Sequence, residues 1–359
     1  MSRLRILADD LTGALDCAAR FVAVEGVIPT FWGPPRGLPF PAAIDAGTRE
    51  LDAEDAVSLT RRLSPVLDDA EPVFKKIDSL LRGHVAAEIA ACVDGFAHCV
   101  IAPAFPAHGR VTRAGRQLVR DGAGWRTTGP DLAACLTELG LDVTLCRPGD
   151  AAPEGASLWD AEDDLDLDQV VAEARCLSGP LLWCGTGGLA GALAGPSPVP
   201  CPPLPGPVLA LIGSDHAASF AQLSAAWARV RRIDRGDADE AARIARLLVR
   251  DGAVAVAAVV PSHLSRPDAS RHIERCFAAL LSRLDPPGTL LVSGGETLRT
   301  VCIALGAVRL DVDGQVMPGV PTSVLCGGAW DEVRVVSKSG AFGDPGLLSR
   351  LLALSGDFA

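Results

Sequence analysis

The sequence has no tyrosine, and phenylalanine and tryptophan bring its aromatic content only to 4%. Binding surfaces for single-stranded nucleic acid need aromatic stacking platforms, so no nucleic-acid partner is expected. Positive charge is also short. The 33 Lys and Arg face 44 Asp and Glu, and the formal net charge of -11 disfavours nucleic acid and anionic membrane alike. No apolar run approaches the roughly 18 residues of a membrane span, and the charged opening MSRLRILADD lacks a secretory hydrophobic segment. The eleven cysteines form no Cys-x-x-Cys pair, and Cys99, Cys135, Cys184 and Cys302 lie among aliphatic neighbours. They read as small buried hydrophobes in a reducing cytoplasm, not as disulfides or zinc ligands. Two nucleotide fingerprints are missing as well: the Walker pattern G-x-x-x-x-G-K-[ST] and the dinucleotide pattern G-x-G-x-x-G.

What is present is a chain of 359 residues, 48% of them hydrophobic, enough for about two domains with cores of Ala, Leu and Val. Prolines crowd the stretch AGPSPVPCPPLPGP, which reads as an extended linker. On each side short apolar runs alternate with helical patterns, the signature of α/β construction. The fold expected is two three-layer α/β/α domains with mainly parallel sheets. They cover residues 1–196 and 207–359, joined by a linker over 197–206. Ligands in such folds gather beyond the carboxyl ends of the strands.

In the first half, strands are expected at RLRILADD, AAIDAG, PVFKKIDS and HCVIAPAF, with helices from Leu11 to Val24 and from about Leu81 to Val93. A further helix follows AAIDAG, with Asp52 as its N-cap. Taken as four adjacent strand ends, they offer Asp9, Asp10, Arg49, Lys76, Asp78, Arg82, His108 and Arg110, the last two in a proline-rich loop. Adjacent like charges such as Asp9 and Asp10 need cations or a hydrogen-bonding ligand beside them. Surface ion pairs and helix caps are one reading of these residues. A cleft for a small polyhydroxy acid is the other: guanidinium groups clamp its carboxylate while aspartates accept from its hydroxyls. In the second half, IGSDH, VSGGET and VVSKSGAFGDP each follow an apolar run. Gly294 and Gly295 permit close backbone approach, and Thr297 opens a helix whose amino end favours a phosphate chain. An ordinary strand-to-helix connection is the competing reading of each turn.

The stretches ILADDLTGALDCAARF, FKKIDSLLRGHVAAEI, VIAPAFPAHGRVTRAG, LLVSGGETLRTVCIALG and GVPTSVLCGGAWDEVRVVSKSGAFGDPGLL together resemble the four-carbon acid sugar kinases, in the same order and over nearly the whole chain. That resemblance implies an ATP-dependent kinase acting on threonate, erythronate or 3-oxo-tetronate, with Mg²⁺ accompanying the nucleotide and the active site in the cleft between two domains. It matches Asp9, Asp10, Lys76, Asp78 and Arg82 to the family's sugar-acid motifs; Arg49 and Arg110, at the same strand ends, complete the expected substrate set, with Asp78 or Asp9 as proton acceptor. It assigns Ser214, Gly294, Gly295, Glu296, Thr297 and Gly340 to the nucleotide. No metal ligand is identified, and a homo-oligomer is left open. The chain departs from the family pattern at Leu80, where relatives carry threonine, and at Asp215 and His216, where they carry cysteine and serine. It is also shorter than relatives in its second half. Those departures motivate a second reading, a sugar-acid and nucleotide binder of the same fold that has lost turnover.

Overall fold

A computed structural model describes residues 3–35 and 37–353; the expected domain residues 1, 2, 36 and 354–359 lie outside the described residues. The chain divides into two compact units, Met1–Val199 and Pro200–Ala359. Both are α/β units with largely parallel sheets, as the alternation of strand and helix implies.

In the first unit the strands run in the order Ile28–Phe31, Ala42–Asp45, Arg5–Ala8, Val73–Lys76, Leu181–Gly185, His98–Ala102, Gly155–Trp159 and Val143–Cys146, all parallel. Side chains alternate across this sheet. Leu7, Val73 and Ile77 therefore face a core shared with Leu63, Ile89 and Leu136 of the helices Ala53–Leu63, Val85–Ala90 and Leu132–Glu138. Phe74 faces the other way, edge-on to Phe21 of the helix Leu11–Glu25. That helix packs with Gly187–Ala194, which in turn packs with Asp164–Ala174. The chain leaves Arg5–Ala8 toward one edge of the sheet and later returns to its other side as Val73–Lys76. Their carboxyl ends thus flank a topological switch point.

Three local expectations change. Leu181–Gly185 inserts between Val73–Lys76 and His98–Ala102, pairing with both, so the four strand ends are not all adjacent. The helix expected from Leu81 to Val93 is only Val85–Ala90, because Leu81 and Gly83 take positive φ of 57° and 75° in a turn wrapped around Asp78. The loop expected around Arg110 contains a strand, Arg110–Arg113, which forms an antiparallel sheet with Arg116–Asp121 and Gly124–Thr127.

In the second unit Val230–Ile233, Ala253–Ala258, Val208–Ile212, Thr289–Ser293 and Arg334–Lys338 are parallel in that order. Val320–Cys326 and Arg309–Met317 continue the sheet antiparallel. Val208, Ile212, Leu291 and Val336 pack under leucines of Leu347–Ala353, which lies beside the helix Ala217–Ala225. Ala238–Asp251, Arg266–Leu281 and Gly295–Ala304 form a second helical group. Here the switch point falls between Val208–Ile212 and Thr289–Ser293. The proline-rich stretch is tied to this unit: the Pro200 carbonyl accepts from Gln315 N (2.9 Å) and the Pro205 carbonyl from Thr289 Oγ1 (2.7 Å). Among the described residues no helix is long and apolar enough to cross a membrane, and all eleven cysteines are free.

Candidate functional site

At the carboxyl edge of the first unit, Asp9 and Asp10 follow the strand Arg5–Ala8 directly. Asp10 caps the next helix, accepting from Gly13 N (3.0 Å) and Thr12 Oγ1 (2.5 Å). Arg49 arrives from the end of Ala42–Asp45 and holds both carboxylates. Its Nε donates to Asp9 Oδ2 and its Nη2 to Asp10 Oδ1, each at 2.7 Å, and Nη2 stands 3.6 Å from Asp78 Oδ1. Asp78 is saturated. Arg82 grips it bidentately at 3.0 and 2.8 Å, and the amides of Leu80 and Arg82 both donate to Oδ2 at 3.1 Å. Arg110 reaches the same place through Ser79 Oγ, while Gln117 donates to the Ser79 and Pro103 carbonyls.

Lys76 completes the group from below. Its side chain is buried and makes no hydrogen bond to a described residue, and Nζ lies beside Gly13. A Cβ at Gly13 would come within 2.6 Å of both Lys76 Nζ and Asp10 Oδ1, so only glycine lets the helix start and the ammonium meet. Burial pushes the Asp9 carboxyl up, but Arg49 and Lys76 outweigh it and hold Asp9 below the usual carboxylate range. Asp78 is held well below that range against the same burial penalty, chiefly by Arg49 and Arg82. Burial lowers Arg110 to about 10. Both acids are ionised at neutral pH. Arg49, Lys76, Arg82 and Arg110 stand among Asp9, Asp10 and Asp78, and buried Asp16 acts on Arg110 as well. Asp9 Oδ1 is buried and has no hydrogen-bond partner among the described residues. A buried acceptor left open in this way points to a ligand hydroxyl.

In the second unit the predicted residues meet through backbone rather than charge. Gly294 has a φ of +111° and caps the helix Gly295–Ala304 without a side-chain bond. Its amide donates to the Lys338 carbonyl (3.0 Å), and a Cβ there would lie 3.3 Å from Thr297 Oγ1 and 3.6 Å from Ser214 Cβ. A Cβ on Gly340 would overlap Ser214 Oγ, so the turns after Ile212 and Lys338 touch only because this residue is glycine. Ser219 Oγ donates to the Gly340 carbonyl (2.9 Å) and fixes that turn. Gly295 lies in the first turn of its helix beside Glu296, which is exposed, whereas Thr297 is buried against Gly213 and Gly294. The two departures from the family pattern have structural places. His216 Nδ1 accepts from Ala218 N (3.2 Å) as a helix cap, and Asp215 leans out to Arg266 (3.5 Å).

Among the described residues no three His, Cys, Asp or Glu are grouped to hold a metal ion. A cavity of about 800 Å³ opens at the amino-terminal end of the first unit's strands, lined by Glu71, Pro72, Val73, Pro180 and Leu181 among others. None of the predicted site residues lines it.

The first unit matches, over residues 4–134, a family model described as a sugar-binding N-terminal domain, and the second matches, over 208–348, one described as a nucleotide-binding C-terminal domain. The chain belongs to the four-carbon acid sugar kinase family. It is 34% identical to a D-threonate kinase of Cupriavidus necator and 30% identical to a D-threonate kinase of Bordetella bronchiseptica, in both cases over 96% of this chain and 95% of the relative. A 3-oxo-tetronate kinase of Pseudomonas fluorescens is 26% identical over 97% of this chain and 96% of its own. The crystal structure of a Salmonella typhimurium LT2 protein shares the fold with a TM-score of 0.68 at 21% identity, covering 97% of this chain and 98% of that one.

Sequence reasoning passed over the buried Lys75–Glu88 pair (2.6 Å), which ties the Val73–Lys76 strand to the helix Val85–Ala90. The signal was available: period-two alternation turns Lys75 to the face opposite Lys76, where a lysine needs a buried acid. Gln117 had no such signal, because only the small antiparallel sheet brings it beneath Ser79.

Proposed function

We propose that this protein transfers the γ-phosphoryl group of ATP to a terminal hydroxyl of a four-carbon sugar acid, with D-threonate first among the candidates. The observation that carries the reading is the buried Asp9–Arg49–Asp10 group with Asp78 and Arg82, at the switch point of a unit whose family model is described as sugar-binding. The cations at that group's edge suit one substrate carboxylate. Arg49 is committed to the aspartates, which leaves Lys76 and the half-exposed Arg82 to meet the carboxylate. Asp9 Oδ1 suits a hydroxyl donor: it orients the attacking oxygen and takes up its proton as the bond to phosphorus forms. A carboxylate of low basicity is adequate there, since phosphoryl transfer is loose and deprotonation runs late. Asp78, with its lone pairs occupied, holds Arg82 and the turn.

In the second unit the Ser214, Gly294 and Gly340 turns and the start of Gly295–Ala304 suit the phosphates. Magnesium neutralises charge on the transferring group when bound. We take it to arrive on the nucleotide. Coupled ADP release with D-threonate, D-erythronate and their 3-oxo forms tests the reading. Acid-dependent ADP release is expected for at least one of them; thermal stabilisation by acid and ATP without ADP formation would instead establish the non-catalytic binder.

A further inference from the structure

Lys338 ends the strand Arg334–Lys338 and is 1% exposed. Its Nζ donates to Ser293 Oγ (3.0 Å) and to the Ser339 carbonyl (2.9 Å), and no carboxylate pairs with it among the described residues. A buried ammonium without a counter-ion is costly, and burial lowers this amine to about 8. Lys338 and Ser293 are register partners, and alternation puts them on the face of Val336 and Leu291, which bears the helix Ala217–Ala225. Ser219 of that helix secures Gly340, and Ser214, Gly294 and Gly340 crowd together one to two residues beyond these strand ends. The ammonium therefore lies under the meeting of three turns, where two helices begin with their positive ends. The nearby acids are turned out: Asp215 reaches Arg266 at the surface, and Glu296 is exposed.

We propose that Lys338 is a positioning residue for the nucleotide's phosphate chain: its buried charge draws the polyanion onto the turns, and its bonds to Ser293 and Ser339 hold those turns open toward it. This rests on the second unit being the nucleotide site. The test is calorimetry on the full chain with ATP, inorganic tripolyphosphate and adenosine, comparing wild type with Lys338→Met, which keeps the length and removes the charge. Affinity for ATP and tripolyphosphate should fall about tenfold or more, with adenosine unchanged and no loss of thermal stability. The Michaelis constant for ATP should rise about as much, with kcat within about twofold. Lys338→Arg should recover part of the phosphate affinity. Should Lys338→Met not fold, Ser293→Ala should weaken tripolyphosphate about threefold without touching adenosine. Equal tripolyphosphate affinity in wild type and variant, or a parallel loss of adenosine binding, overturns the proposal alone. A wild type that binds neither ATP nor tripolyphosphate overturns the nucleotide reading, and this proposal with it.

Discussion

The two candidate sites occupy the same topological position, the carboxyl ends of strands flanking a switch point, yet they are built from opposite materials. The first unit gathers buried aspartates around the buried Arg49 and the half-exposed Arg82. The second brings glycines and serines together and buries a single lysine without a counter-ion. The difference follows from the guests. A small chiral polyhydroxy acid is told from its isomers by directional side chains, and those are rigid only when locked by mutual ion pairs. A phosphate chain is a nearly symmetric polyanion that main-chain amides satisfy, so the shape of the turns decides. The first site should therefore break when charge is removed, the second when bulk is added.

The harshest trial of that contrast is Arg49→Met. It leaves Asp9 and Asp10 buried beside each other without the cation that holds both, which should cost about 3–5 kcal/mol of stability and abolish turnover. Urea unfolding measures the first effect; a loss below about 1 kcal/mol would mean that water already screens the pair. Next comes the division between the two acids. Asp9→Asn should lower kcat by about 10²–10⁴ with little change in the Michaelis constant for the sugar acid. Asp78→Asn should instead raise that constant, because the grip on Arg82 weakens. Steady-state kinetics on both variants decides the matter: if Asp78→Asn takes the larger fall in kcat, the proton acceptor is Asp78.

A smaller contrast concerns stability and pH: both units gain stability as the pH rises, but in different windows. Asp9 and Asp78 titrate below the ordinary value of 3.8, so their contribution is present above about pH 4 and is lost as the pH falls through their folded values. Lys338 is depressed from 10.5 to about 8. Between those values the unfolded chain holds a proton that the folded chain does not, and the contribution of this lysine to stability rises with pH, by ~3 kcal/mol across the window. Buried thiols such as Cys17 and Cys302, pushed up by burial, titrate in the unfolded chain over the same range and pull the other way, so the comparison with the variant isolates the lysine. Denaturation midpoints of wild type and Lys338→Met should converge from pH 8 to 10.5; parallel curves would show that the amine is already hydrated.

Much of this was legible in the residues. The apolar runs, Asp52 as a cap and the glycine turns needed only local chemistry, and each lies where its pattern put it. What was hidden depends on distant pairing. Strand order is set by which edge a crossover returns to, so nothing local in LLWCG announces that it inserts beside Val73–Lys76. The turn after Asp78 was misread as helix because Leu80, Leu81 and Arg82 are good helix formers. The hydrogen bonds that Asp78 accepts from that turn, and its two positive φ angles, override propensity. The same bonds tie Asp78 to Arg82 and to its own turn, an arrangement that no local pattern announced.

The mildest change probes bulk alone. Gly340 does not need glycine for its φ, which is not positive; it needs it because a Cβ would overlap Ser214 Oγ and come against Ser219 Oγ at 3.3 Å. In Gly340→Ala the serine hydroxyl must rotate and, because the Cβ would also overlap Ser214 Cβ, the turn must shift by about an ångström, an overpacking cost of about 1–3 kcal/mol. Because Ser214 and Gly340 belong to the second unit, the Michaelis constant for ATP should rise about tenfold while that for the sugar acid stays put. Paired titrations of each substrate at saturation of the other measure it. Equal rises in both constants would show that bulk placed among the glycine turns disturbs the charged site as well, and the two would have to be treated as one site.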